Sequence, residues 1–138
     1  MEQVGIDIAA PPDRVWTVLA DIERWPEWTA SVTSVERLDD GPVAVGSLAR
    51  VKQPRLRAAV WRVTSVEPGR SFDWAAKSPG ITTAAGHRLE PTDDGTRVAL
   101  TIEMSGPLAG ILGRVYARLT RRYMHVEAEG LKRRVEAR

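Results

Sequence analysis

The end of the chain places the strongest limit on its fold. From Leu108 to about Ala137, leucines, valines and tyrosines recur at steps of three and four residues with arginines between them, which predicts one amphipathic helix. A helix of about 30 residues, at about 1.5 Å each, is about 45 Å long. The sequence contains no other long helical segment with which it could form a bundle. The helix is therefore expected to lie across a sheet.

The segments before this helix are typical of strands separated by turns. Residues 2–8 alternate, with three branched apolar residues on one face, and predict the first strand. Two short helices follow, one beginning near residues 10–12 and one over 21–28, where Pro26 marks a break. Parallel crossovers need about a dozen residues or more, so the short connections that come next predict an antiparallel meander. Its six further strands are predicted over residues 32–38, 47–53, 58–66, 71–77, 81–90 and 96–105.

Length and composition narrow the class of protein. A chain of 138 residues is expected to form one domain, residues 1–138. The absence of cysteine excludes disulfides and thiol nucleophiles. No apolar run approaches the about 18 residues needed to span a bilayer, and the first residues lack the pattern of a signal peptide. These features predict a cytoplasmic protein, and the preference for arginine and alanine indicates a bacterial genome of high GC content.

Seven antiparallel strands with one helix across them make an α+β fold that is hard to fill completely. A strongly curved sheet leaves space between its floor and the helix. Open pockets of this kind tend to bind small molecules. The pattern of strands and helices therefore predicts a ligand-binding protein, although it does not name the ligand.

Three stretches and the arginine-rich terminal helix carry a resemblance to a known family. They read IDIAAPPDRVWTVLADIERWPEW at 6–28, VTSVEPGRSFDW at 63–74 and HRLEPTDDGTRVALTIEMSGPLAG at 87–110. The chain resembles the START-like (SRPBCC) superfamily, and specifically its polyketide cyclase/dehydrase branch. The resemblance implies the helix-grip fold, a curved seven-stranded antiparallel sheet around a long C-terminal helix with two short helices after the first strand. It also implies a central hydrophobic cavity, but the family ranges from lipid carriers and quinone-binding chaperones to aromatase/cyclases.

Predicted ligand contacts come from the inward strand faces and the terminal helix. Alternation aims Trp61, Phe72 and Trp74 inward, where an aromatic wall suits a ring-bearing ligand and equally suits core packing. In the family the corner at Trp28 lies near one end of the cavity, so the resemblance implies either a ligand contact or packing there. The full predicted set is Trp28, Trp61, Phe72, Trp74, His87, Leu100, Leu112, Tyr116, Leu119 and Tyr123.

His87 is the first candidate for chemistry. It shares a strand face with Ala85 and Leu89, so alternation aims its imidazole inward. In an apolar cavity it would act as a general acid or base, as a hydrogen-bonded core residue, or as a donor that orients a ligand. Tyr116 is the second candidate for proton transfer, and it points the same way as Tyr123, seven residues further along the helix.

Other site chemistry finds little support in the sequence. Asp73 and Glu103 fall on the outward strand faces, so no paired carboxylates are directed at one point. His87 and His125 are far apart and have no obvious carboxylate partner, so neither a metal nor a cofactor is predicted. Gly130 interrupts the apolar stripe of the terminal helix, which indicates either a close approach of the sheet or an opening beside the helix.

The leading prediction is a binding protein without catalysis, as monomer or homodimer, for a lipid, a quinone or a polyketide-like aromatic compound. The first alternative is a polyketide cyclase or dehydratase in which His87 or Tyr116 transfers protons. A hydrogen-bonding partner for His87 inside the cavity would favour that enzyme. The second alternative is a protein-interaction module that uses the basic terminal helix, since residues 114–138 carry a net charge of +5. No nucleic acid partner is expected, and residues 78–80 and 106–110 are predicted to gate the cavity.

Overall fold

The computed structural model describes residues 1–137 and confirms the predicted order of strands and helices. Pro26 lies inside the second helix, a short 3-10 helix, instead of breaking it. The second strand is shorter than predicted. In chain order the elements are β1 Glu2–Ile8, α1 Pro12–Ala20, the 3-10 helix Ile22–Glu27, β2 Ser34–Arg37, β3 Leu48–Lys52, β4 Ala59–Glu67, β5 Ser71–Ser78, β6 Ile81–Thr92, β7 Gly95–Ser105 and α2 Ala109–Glu136.

All seven strands form one antiparallel sheet in the order β1-β7-β6-β5-β4-β3-β2. Strands β2 to β7 form the predicted meander, and β1 pairs with β7. The two ends of the sheet are therefore β1 and β2, and α1 with the 3-10 helix connects them. Helix α2 packs against β1 and β7. No helix within residues 1–137 is long and apolar enough to cross a bilayer.

Helix α2 consists of two halves with different surroundings. All of its buried residues lie in the second half, at Met124, Ala128, Gly130, Leu131 and Val135. The first half, residues 109–123, contains half-buried and exposed residues but no fully buried one. The second half therefore belongs to the core, whereas the first half passes over the open part of the sheet.

Gly130 marks the tightest approach of α2 to the rest of the chain. A Cβ atom at this position would lie 2.0 Å from the carbonyl oxygen of Trp28. Of the two predicted reasons for this glycine, close approach is the one that the structure shows. The partner, however, is the backbone after the 3-10 helix and not the sheet.

Polar contacts hold the end of α2 to the beginning of the chain. The Glu136 carboxylate accepts hydrogen bonds from the Ala9 amide at 2.9 Å and from Lys132 Nζ at 2.6 Å, and these two donors hold the pKa of Glu136 below its ordinary value. Arg134 forms an ion pair with Glu27 at 2.7 Å. The second half of α2 is therefore anchored by both packing and polar contacts.

Candidate functional site

A cavity of about 570 Å³ lies between the sheet and the first half of α2. Its walls come from β3 to β7, from residues 53–58 between β3 and β4, and from α2. Most of the lining side chains are apolar or aromatic. The cavity exists because the part of α2 above it is not packed down onto the sheet.

The structure brings together most of the residues predicted to contact a ligand. Trp28 and Phe72 do not line the cavity; both are buried in the core, where Trp28 packs against Trp25 and Phe72 packs against His87. The predicted residues that do line it are Trp61, Trp74, His87, Leu100, Leu112, Tyr116, Leu119 and Tyr123.

Trp25, which the sequence analysis did not assign to the site, lies at the centre of the aromatic cluster. Its indole Nε1 donates to the Leu19 carbonyl oxygen at 2.9 Å, which fixes the ring in the 3-10 helix. Its ring centroid lies 5.4 Å from that of Trp74 and 5.5 Å from that of His87. Trp61 continues the wall, 5.4 Å from Trp74. Aromatic side chains thus form one end of the cavity.

The imidazole of His87 is held in one orientation. It stacks on the Phe72 ring with centroids 4.3 Å apart and planes 3° from parallel, while Trp25 and Trp74 meet it edge-on. Nδ1 lies 3.1 Å from the Phe72 carbonyl oxygen. Because a carbonyl oxygen only accepts, Nδ1 carries a hydrogen, and Nε2 is left to face the carboxylate of Glu127 at 3.4 Å.

Glu127 corrects the expectation that His87 lacks a carboxylate partner. It lies on α2 four residues after Tyr123 and eleven after Tyr116, so these three residues share one helix face. That spacing was the signal that the sequence offered. The spacing does not stand out in the sequence because Glu127 lies among the charges of the basic helix, whereas the structure places it in the cavity lining.

His87 and Glu127 form a polar pair in the cavity lining, with Nε2 of the imidazole directed at the carboxylate. Their separation of 3.4 Å exceeds the about 2.7–2.9 Å of a strong charge-assisted hydrogen bond.

Comparison with known proteins assigns the chain to a family. The model of the polyketide cyclase/dehydrase and lipid transport family matches residues 3–136. The chain belongs to this family. No curated protein matches the sequence.

Solved structures of bacterial proteins share the fold of this family member. The Zhui aromatase/cyclase from Streptomyces sp. R1128 superposes with a TM-score of 0.78 at 19% identity, over 98% of this chain and 92% of that one. A hypothetical protein from Helicobacter pylori gives 0.81 at 13% identity, covering 98% and 86% of the two chains. A protein from Thermus thermophilus gives 0.75 at 20% identity, covering 98% and 96%.

The two tyrosines of α2 lie in different surroundings. Tyr123 donates its hydroxyl hydrogen to the Pro54 carbonyl oxygen and so connects α2 to the loop after β3. Tyr116 is 39% exposed. Eleven residues at about 1.5 Å each place it about 16 Å along α2 from Glu127, too far to share one reacting atom with His87.

The exposed residues of the cavity lining are Arg55, Arg57, Ala58, Ser78 and Tyr116, so the cavity opens between the loop after β3, the end of β5 and the first half of α2. Lys52 Nζ donates to the carbonyl oxygens of Gln53 and Leu56 and supports this loop, in which Arg55 adopts a φ of 68°. The two segments predicted to gate the cavity are joined by a hydrogen bond from the Leu108 amide to the Gly80 carbonyl oxygen at 2.9 Å. Gating by these segments stays a prediction.

Residues 1–137 contain no cluster of three or more side chains suited to a metal ion.

Proposed function

We propose that this protein binds a hydrophobic, ring-bearing small molecule in the cavity beneath α2. The observation that carries the proposal is the cavity itself, since its volume of about 570 Å³ falls within the about 300–1,000 Å³ of small-molecule sites. Its aromatic end, formed by Trp25, Trp61 and Trp74, suits a flat ring system. A lipid, a quinone or a polyketide-like aromatic compound has this chemistry.

Apolar burial supplies the affinity in this proposal, and polar groups supply the orientation. A ligand that loses about 300 Å² of apolar surface gains about 7.5 kcal/mol, at about 25 cal/mol per Å², before the cost of ordering it. Nε2 of His87 and the Glu127 carboxylate would accept hydrogen bonds from a ligand hydroxyl group. A purely aliphatic ligand would leave this pair without a polar partner.

Native mass spectrometry of the purified protein, followed by extraction under denaturing conditions, tests the proposal. The expected result is a stoichiometric bound compound that is released on unfolding and contains a ring and an oxygen function. If the protein is found empty, and quinones, fatty acids and polycyclic phenols change neither its mass nor its melting temperature, binding is not its function.

The His87 and Glu127 pair favours a second candidate, a cyclase or dehydratase acting on a polyketide-type chain. The neutral imidazole would accept a proton at Nε2 from a carbon between two carbonyl groups, and Glu127 would stabilise the imidazolium. The enolate carbon would then bond to another carbonyl carbon of the chain, and the resulting alkoxide would take the proton back. In the loss of water, the same pair would remove a proton from carbon and protonate the departing hydroxyl group.

Kinetics of matched variants test this second candidate. With a soluble poly-β-ketone mimic as substrate, His87→Gln and Glu127→Gln are expected to lower kcat about a hundredfold or more while KM changes little. The control is His125→Gln, because His125 is exposed and does not line the cavity. Turnover that survives both cavity substitutions, or that falls equally in the control, would remove the pair from the mechanism.

A further inference from the structure

The first half of α2 exposes large apolar side chains next to the cavity. Ile111 is 66% exposed and Val115 is 67% exposed, and their spacing of four residues places them on one helix face. Leu108, just before the helix, is also exposed. These side chains contribute nothing to the lining of the cavity, whereas their neighbours Leu112 and Tyr116 do. The first half of α2 is therefore apolar on its solvent-exposed face as well as on the face that lines the cavity.

Arginines continue this exposed face and surround it. Arg118 and Arg122 follow Val115 at three and seven residues, so the stripe is apolar at its start and cationic at its end. Residues 104–126 contain four arginines and no acidic residue. Of these four, Arg121 alone forms an ion pair within residues 1–137, with Glu2 at 3.5 Å.

The loop after β3, on the other side of the opening, is also basic. Residues 41–66 contain no acidic residue, and Arg55 and Arg57 line the cavity where it opens. Neither arginine pairs with a carboxylate in the part of the chain that the structure describes. Arg55 and Arg122 also line one small pocket beside Tyr123, so the two basic segments meet. We call the surface formed by residues 53–58 and by the outer face of residues 108–122 the basic rim.

We propose that the basic rim docks on an anionic membrane surface. Apolar side chains flanked by arginines match the pattern of helices that lie in the interface of a bilayer, where the apolar groups enter the acyl region and guanidinium groups meet lipid phosphates. Tyr116 is the single aromatic residue within residues 108–122, and residues 53–58 contain none, whereas surfaces that bind single-stranded nucleic acid stack successive bases on several rings. The rim borders the opening of the cavity, so an apolar ligand would pass between bilayer and protein without crossing water.

Flotation with lipid vesicles tests this docking. The protein is expected to float with vesicles of phosphatidylcholine that contain phosphatidylglycerol, to remain behind with pure phosphatidylcholine vesicles, and to dissociate as salt is added. Each arginine that contacts the surface is expected to contribute about fivefold to the partition coefficient. Failure to bind the anionic vesicles at low salt would overturn the proposal. The basic rim would then be interpreted as a surface that binds a protein partner.

Matched variants locate the contact. Ile111→Ser with Val115→Ser is expected to weaken vesicle binding about tenfold or more, because these side chains enter the acyl region. The control is Val45→Ser, since Val45 is 66% exposed but lies in the β2–β3 loop at the other end of β3. Arg118→Ala is expected to weaken binding about fivefold and Arg133→Ala, in the second half of α2, to have no effect. Equal binding by the serine variant and the unaltered protein would refute docking through the rim.

Ligand binding and membrane docking are separable in these experiments. None of Ile111, Val115 and Arg118 lines the cavity. Ligand binding measured in solution is therefore expected to persist in both rim variants. Absence of ligand binding in the unaltered protein would count against the proposed function without touching the membrane proposal.

Discussion

Replacing Gly130 with alanine is expected to lower the free energy of unfolding by about 3 kcal/mol, the upper end of what overpacking usually costs. The added Cβ atom would lie 2.0 Å from the carbonyl oxygen of Trp28 and 3.4 Å from the Cα atom of Thr29. Both are backbone atoms, so no side-chain rotation relieves the overlap. The helix or the chain at Trp28 has to move, and the buried residues on either side of Gly130 lose contacts when it does.

Gly113 offers a matched control on the same helix. A Cβ atom there would meet only the sulfur of Met104, at 4.0 Å. Gly113→Ala is therefore expected to stabilise the protein by up to about 1 kcal/mol through helix propensity alone. Urea unfolding followed by circular dichroism measures both variants. Equal effects of the two substitutions would show that α2 does not approach the chain at Trp28 as closely as the structure indicates.

Filling the cavity is expected to abolish ligand binding with little loss of stability. Ala85 lies on the inward face of β6 between Thr83 and His87 and lines the cavity. A phenylalanine at this position would project into existing space, next to Trp74 across the strand pair. We expect Ala85→Phe to lower ligand affinity about a hundredfold or more, because the ligand would lose a ring's worth of contact area and meet a steric barrier.

The neighbouring alanine controls for the substitution itself. Ala84 is exposed on the opposite face of β6, so Ala84→Phe adds the same ring outside the cavity. Ligand occupancy by native mass spectrometry is expected to persist in this variant and to vanish in Ala85→Phe, with melting temperatures that differ by a few degrees. A phenylalanine at residue 85 that leaves occupancy unchanged would place the ligand elsewhere.

The fold was accessible from the sequence because its signals are local. Turns that contain glycine separate the strands, and Gly69 and Gly80 adopt the positive φ that such turns require. Period-two alternation correctly aimed His87 inward, where it is 4% exposed. Helical spacing correctly gave α2 as a single helix from the region of Leu108 to that of Ala137.

The contacts that define the candidate site were less accessible because they join distant parts of the chain. His87 and Glu127 are 40 residues apart, and only the crossing of α2 over β6 brings them to 3.4 Å. Trp25 and Trp28 flank the same proline, and periodicity does not tell which ring reaches the cavity in a short 3-10 helix. Gly130 indicated that another part of the chain approaches α2 closely. Which segment does so depends on the path of the chain after the 3-10 helix.

The division of α2 into a packed half and an overhanging half separates two kinds of selection within one helix. Substitutions at Leu112, Tyr116 or Leu119 alter the lining of the cavity but remove little from the core. Substitutions at Leu131 or Val135 do the reverse. Substitutions during evolution can therefore change the lining of the cavity through the first half of α2, while the second half of the same helix keeps the protein folded.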